Sequence, residues 1–182
     1  RNINVIGFDN MFEGATEMNS NYNAPVTPDA SWFFPFSYAF SDRDELRTAL
    51  DKWINGTDEE KALYGDIENW NVKSVTDLSV LFRGITGIEN FNSNISNWNV
   101  SNVTTMLACF ENLTTFNQPL DQWDVSNVKN MSEAFSNASS FNQDITNWDV
   151  SNVTSFMTMF LNASSFNQNV RLWDVSSALQ DI

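Results

Sequence analysis

The stretch FNQDITNWDVSNVTSFMTMF, residues 141–160, decides how this chain is read. Its apolar residues Phe141, Ile145, Trp148, Val150, Val153, Phe156, Met159 and Phe160 stand among Asn, Asp, Ser and Thr. The stretch before it, FNQPLDQWDVSNVKNMSEAF at 116–135, repeats it column by column. Working outward, Trp70, Trp98, Trp123, Trp148 and Trp173 are 28, 25, 25 and 25 residues apart, and each opens the same phrase: WNVKSVT, WNVSNVT, WDVSNVK, WDVSNVT, WDVSSAL. Phe82, Phe110, Phe135 and Phe160 form one further column, and Phe91, Phe116, Phe141 and Phe166 another. The extra residues of the first repeat fall at Gly84–Gly87, where a loop absorbs them. A fixed period of this kind marks an array in which neighbouring repeats bury one another's apolar faces.

Within a repeat the periodicity changes. Around each Trp the apolar positions suit a short extended stretch. After the Ser-Asn pair, Val153, Phe156, Met159 and Phe160 follow helical spacing behind Ser151 or Asn152 as an N-cap. The expectation is therefore an α/β solenoid of strand-turn-helix repeats, with equivalent residues about 4.8 Å apart where strands pair. The repeat core is then Trp70, Trp98, Trp123, Trp148 and Trp173 with Phe110, Phe135 and Phe160. The column Asn92, Asn117, Asn142 and Asn167 is expected to satisfy turn backbone groups.

The array occupies 66–182, about four and a half repeats. Residues 41–65 read as a helical cap: Leu46, Leu50, Trp53 and Ile54 recur at helical spacing, Gly56 ends that helix, and Thr57 with Glu60 fits a capping box for a second. Residues 24–40 are a loop rich in Pro and aromatics. Residues 1–23 are a degenerate repeat, since NVIGFDNMF at 4–12 matches NVTSFMTMF at 152–160 in five places, and Met18 and Asn19 take the positions of Phe166 and Asn167. In the fifth repeat the pattern fades, with Asp181 in the column of Phe156.

The net charge of −14 argues against nucleic acid and against anionic membrane, both of which need a basic patch. No apolar run reaches the length of a membrane span, so no membrane insertion is expected. With no His and one Cys, nucleophile–His constellations and Cys/His zinc sites are excluded, and Cys109 reads as a small buried apolar residue. Nothing holds two carboxylates at a set distance, and there is no phosphate-binding glycine loop, so no enzyme and no cofactor are expected.

Three features bear on binding. The column Asn71, Asn99, Asp124, Asp149 and Asp174 stacks like charges; either these side chains cap the next turn or Ca²⁺ bridges Asp124, Asp149 and Asp174. Nine sequons occur, at Asn55, Asn94, Asn99, Asn102, Asn112, Asn130, Asn137, Asn152 and Asn162. Asn112, Asn137 and Asn162 form one column where the chain turns at the surface, and they are the glycosylation candidates if the protein passes through a eukaryotic secretory route. Trp32, Phe33, Phe34, Phe36, Tyr38 and Phe40 either pack over the array or present a surface for a partner protein or a sugar.

The phrases at 116–135 and 141–160 resemble the leucine-rich-like surface repeats of the BspA type, also known as the DUF285 repeat of bacterial, mycoplasma and algal surface proteins. The resemblance is strong over 66–182 and weak over 1–23, and the segment from Ser41 to Val72 is similar to the leader of such arrays in marine algal proteins. It implies an extracellular or cell-surface location, roles in adhesion or assembly, and no catalytic residues. Departures are the longer first repeat, Asn71 and Asn99 in place of Asp, and Ala178 in place of Val. Two readings of function follow: a surface module that binds proteins or glycans, or a structural subunit that joins copies of itself end to end. The repeat-like start and the faded last repeat favour the second.

Overall fold

The chain divides into two compact units, Arg1–Phe36 and Ser37–Ile182. A computed structural model describes residues 38–179, within the second unit. The degenerate repeat at 1–23 and the aromatic residues Trp32, Phe33, Phe34 and Phe36 lie outside the described residues.

Helix α1, Arg43–Asn55, starts at Asp42, whose carboxylate accepts from the Glu45 N–H, and carries Asp44 and Glu45 in its first turn and Lys52 in its last, as the helix dipole favours. It buries Leu46, Ala49 and Leu50. Helix α2, Asp58–Tyr64, opens with a capping box between Thr57 and Glu60 and closes at Gly65, whose φ of 63° suits glycine.

The repeats themselves differ from the expectation. Beyond α2 the described residues hold no further α-helix and no named strand, only 3₁₀ turns at Ile67–Asn69, Ile88–Asn90 and Ser176–Leu179. The α/β solenoid of strand-turn-helix repeats is therefore overturned. Parallel pairing is confined to isolated bridges, Asp77 to Thr105, Thr105 to Asn130 and Asn130 to Ser155, with a further one from Ala39 to Asn71. The physical reason lies in the three-residue spacing of the apolar columns. Each step of three is one closed turn: Trp98 N–H to Ile95 O (3.1 Å), Val103 to Val100 (2.8 Å), Cys109 to Met106 (3.1 Å), Leu113 to Phe110 (3.2 Å), Phe116 to Leu113 (3.2 Å). An α-helix would bond four residues back. It would also need right-handed backbone throughout, yet Val80, Ala108, Glu133 and Thr158 have φ between 50° and 58°, and Asn112, Asn137 and Asn162 between 58° and 63°.

These left-handed residues turn alternate N–H groups toward the next repeat. Met106, Ala108, Phe110 and Asn112 donate to the carbonyls of Asn130, Ser132, Ala134 and Ser136 at 2.8–2.9 Å. Met131, Glu133, Phe135 and Asn137 donate likewise to Ser155, Met157, Met159 and Leu161 at 2.7–2.9 Å. The backbone is thus satisfied by turns within a repeat and by bonds between repeats, which is how its buried groups must be accounted for without helix or sheet.

Inside, like stacks on like. Phe82, Phe110, Phe135 and Phe160 follow one another at 5.8, 5.0 and 5.6 Å between ring centroids, and Phe91, Phe116, Phe141 and Phe166 at 6.0, 6.1 and 6.0 Å. Burial of such a side chain stabilises by about 1.5–3 kcal/mol. Each Trp also reaches back: the indole N–H of Trp98, Trp123 and Trp148 donates to the carbonyl of Ile67, Ile95 and Leu120 at 2.8, 3.2 and 2.9 Å.

Among the described residues no repeat precedes the first to use its carbonyls, and α1 supplies the donors. Arg43 donates to Ser79 O and Ser79 Oγ, while Arg47 donates to Val80 O and Leu81 O at 2.9 Å each and to Arg83 O. Two guanidinium groups thus take the place of a row of amides. Arg47→Ala is expected to lower stability by about 2 kcal/mol, the scale of a lost charge-assisted hydrogen bond to a partly buried carbonyl; a urea unfolding curve measures it.

Candidate functional site

The outward surface of the array is built from side-chain amides that bind the neighbouring repeat. Asn92, Asn117 and Asn142 accept, through Oδ1, the backbone N–H of Asn117, Asn142 and Asn167 at 2.9, 2.9 and 3.0 Å. Gln118, Gln143 and Gln168 donate to the same three oxygens. On another side, Asn102, Asn127 and Asn152 donate to the carbonyls of Lys73, Ser101 and Ser126 at 2.8 Å each. Each column so presents one chemical group again and again, one repeat apart.

The column after Trp lies in turns. Asn99, Asp124 and Asp149 each accept from both the N–H and the hydroxyl of the Ser two residues on, and Asp174 accepts from the Ser176 N–H at 3.0 Å. The turn explains why Asn and Asp interchange there, since only an acceptor is required. Hydrogen bonds from Ser151 hold Asp149 below the usual carboxylate range, and those of Ser176 do so for Asp174. Asp144 is lowered in the same way by Thr146. Among the described residues no three acidic, Cys or His side chains cluster as a metal site would need.

Asn112, Asn137 and Asn162 are exposed or half-buried in the left-handed region, where Asn is among the few side chains tolerated and where the first repeat has Gly84. Their amides form a ladder: Asn137 Nδ2 donates to Asn112 Oδ1 and Asn162 Nδ2 to Asn137 Oδ1, at 2.8 Å each. Only Asn112, at the start of that ladder, keeps its nitrogen without an acceptor among the described residues.

Of the aromatic segment, Phe40 is buried against Trp70 at 5.0 Å and Tyr38 is half-buried between Phe40 and Tyr64. Cys109 is fully buried, and burial pushes its thiol well up, so it has no nucleophilic character. Trp53, Lys61, Asn90, Phe91 and Asn92 line a groove of about 400 Å³ beside the helices.

Two features escaped sequence reading. One is the pair of arginine caps on the first repeat, which no spacing announces. The other is the far edge of the fourth repeat. No described residue accepts from the N–H groups of Phe156, Thr158, Phe160 and Asn162, the same columns that donate forward in earlier repeats. Met157 is 64% exposed and Leu161 52%, whereas Ser132 and Ser136, one repeat back, are covered. Phe156, Met159, Phe160, Trp173 and Ala178 line an apolar groove of about 520 Å³ there. The fading of the pattern at Asp181 was the only hint of it.

Residues 85–181 match the model of a family described as "Mycoplasma protein of unknown function, DUF285". No curated protein and no solved structure matches the chain.

The carboxylates lowered by their Ser and Thr partners set a pH dependence. Their contribution is full above the ordinary Asp value of about 4 and fades as pH falls through the lower folded value. The melting temperature is expected to drop on acidification below about pH 4, and Asp149→Asn, which keeps the acceptor as Asn99 does, is expected to reduce that drop without lowering the melting temperature at pH 7. For material from a eukaryotic secretory host, peptide mass mapping is expected to find glycan on Asn112 and none on Asn137 or Asn162, whose nitrogens hold the ladder.

Proposed function

We propose that this chain, which belongs to the DUF285 family, is a non-enzymatic extracellular or cell-surface repeat protein that binds other proteins or glycans, as in adhesion. The observation that carries this reading is the regular recurrence of identical polar groups along the array, with the acidic and amide side chains engaged in turns and ladders rather than gathered in a cleft. Recurring groups suit a partner that itself repeats, because linked weak contacts multiply into avidity. The net charge of −14 turns the surface away from nucleic acid and anionic lipid. No helix among the described residues is long and apolar enough to cross a membrane. The resemblance to BspA-type surface arrays supports the location and the adhesive role.

A second reading, a structural subunit that joins copies of itself end to end into a filament or surface layer, is favoured by the exposed Met157 and Leu161 beside the apolar groove of Phe156, Phe160 and Trp173. Exposed apolar side chains of this kind form a surface that invites association. Light scattering with negative-stain imaging, followed by a glycan and matrix-protein array, separates the two. The binding module predicts a monodisperse monomer with reproducible hits on the array. Filaments support the subunit, and a monomer silent on the array sinks the first reading.

A further inference from the structure

We propose that the groove between the two helices and the first repeat is a binding subsite for a neutral sugar residue, held against Trp53. The inference rests on the binding-module reading and gives it a site and a ligand class.

The groove forms where the first repeat departs from the pattern of the others. In the later repeats Gln118, Gln143 and Gln168 follow the column Asn, and each Nε2 donates to the Oδ1 of the Asn one repeat back. In the first repeat that position is Ser93, whose side chain is too short to fill the same space. The residues that lengthen this repeat end in Gly87, where an added methyl would meet no atom within 4 Å. An opening of about 400 Å³ results, lined by Trp53 of α1, Lys61 of α2 and Gly87, Asn90, Asn92 and Ser93 of the repeat. That is within the size of small-molecule sites.

The lining carries one aromatic plane and several polar groups with bonding capacity to spare. Trp53 is half-buried against the core. The indoles of Trp70, Trp98, Trp123 and Trp148 all donate to carbonyls, whereas no described residue accepts from that of Trp53. Lys52 pairs with Glu60, but Lys61 has no described carboxylate within ion-pair reach. The N–H groups of Asn117, Asn142 and Asn167 each meet an Asn Oδ1, and that of Asn92 has no described acceptor. Asn90 donates its amide to Glu89 at 3.4 Å and keeps its oxygen free among the described residues.

These groups suit a ligand that is apolar on one face and hydroxylated at its rim. A pyranose has that form. Its C–H face covers an indole, and its hydroxyls both donate to an amide oxygen and accept from backbone, indole and ammonium N–H groups. An apolar ligand would leave the polar groups unpaired. The net charge of −14 disfavours an acidic chain, and Lys61 disfavours a cationic one, so the sugar is neutral.

Calorimetric titration of the full chain with hexaoses of glucose, xylose, mannose and galactose, and with a galacturonate hexaose, tests this. At least one neutral hexaose is expected to bind saturably, and more tightly than galacturonate. Ser93→Gln, which places the later repeats' own side chain in the groove, is expected to weaken binding by about tenfold or more without lowering the melting temperature. Trp53→Leu, which keeps apolar packing and removes the plane, is expected to do the same while circular dichroism reports an unchanged fold. No binding of any neutral hexaose, a preference for galacturonate, or native binding by both folded variants overturns the proposal. If no hexaose binds but the glycan and matrix-protein array gives hits that Ser93→Gln leaves unchanged, the groove falls and the binding-module reading stands. If hexaose binding is lost in Ser93→Gln but the array is silent, that reading falls and the groove stands.

Discussion

Between Met106 and Asn112, every second backbone N–H leaves its own repeat and bonds a carbonyl of the next, and the same segment of each repeat does so in turn. That arrangement demands left-handed backbone at Val80, Ala108, Glu133 and Thr158, none of them a residue that chooses it. A β-branched residue there costs about 1–3 kcal/mol and persists only where its surroundings fix it. Here they do: the N–H of Val80, Ala108 and Glu133 each holds a carbonyl one repeat on at 2.8–2.9 Å. The strain and the bond are one feature, and a repeat can hold this shape because a neighbour is present.

Along the described stack the backbone groups of the first and fourth repeats are met differently. Its first repeat leaves carbonyls without donors, and α1 answers with Arg43 and Arg47. A guanidinium suits that task, since it offers several donors in a fixed fork and loses no charge at any working pH. At the fourth repeat no described residue accepts from the N–H groups of Phe156, Thr158, Phe160 and Asn162, next to exposed Met157 and Leu161.

The surface follows from the same constraint. Asn and Gln occupy the columns where a repeat must both accept from and donate to its neighbour, and Asp or Asn the turns where an acceptor suffices. Polar side chains that in a globule would be free to form a site are committed here to structure.

The sequence by itself determined the repeat, its period, the columns that are buried and the two helices before it, because burial and capping depend on residue type and spacing, which are legible in one dimension. It also offered turn capping as one of two readings of the column after each Trp, beside a bridging Ca²⁺, and pointed to the Asn112, Asn137 and Asn162 column as a turn. Only the tertiary structure decided between helix and turns, because apolar residues every third position satisfy both, and the choice rests on where the backbone N–H groups bond. The left-handed Val80 and Glu133 carry no signature in residue type, being held by the adjacent repeat. The caps by Arg43 and Arg47, which bridge 33 to 36 residues of chain, likewise depend on which backbone groups meet a partner, and that is settled only once the repeats are stacked.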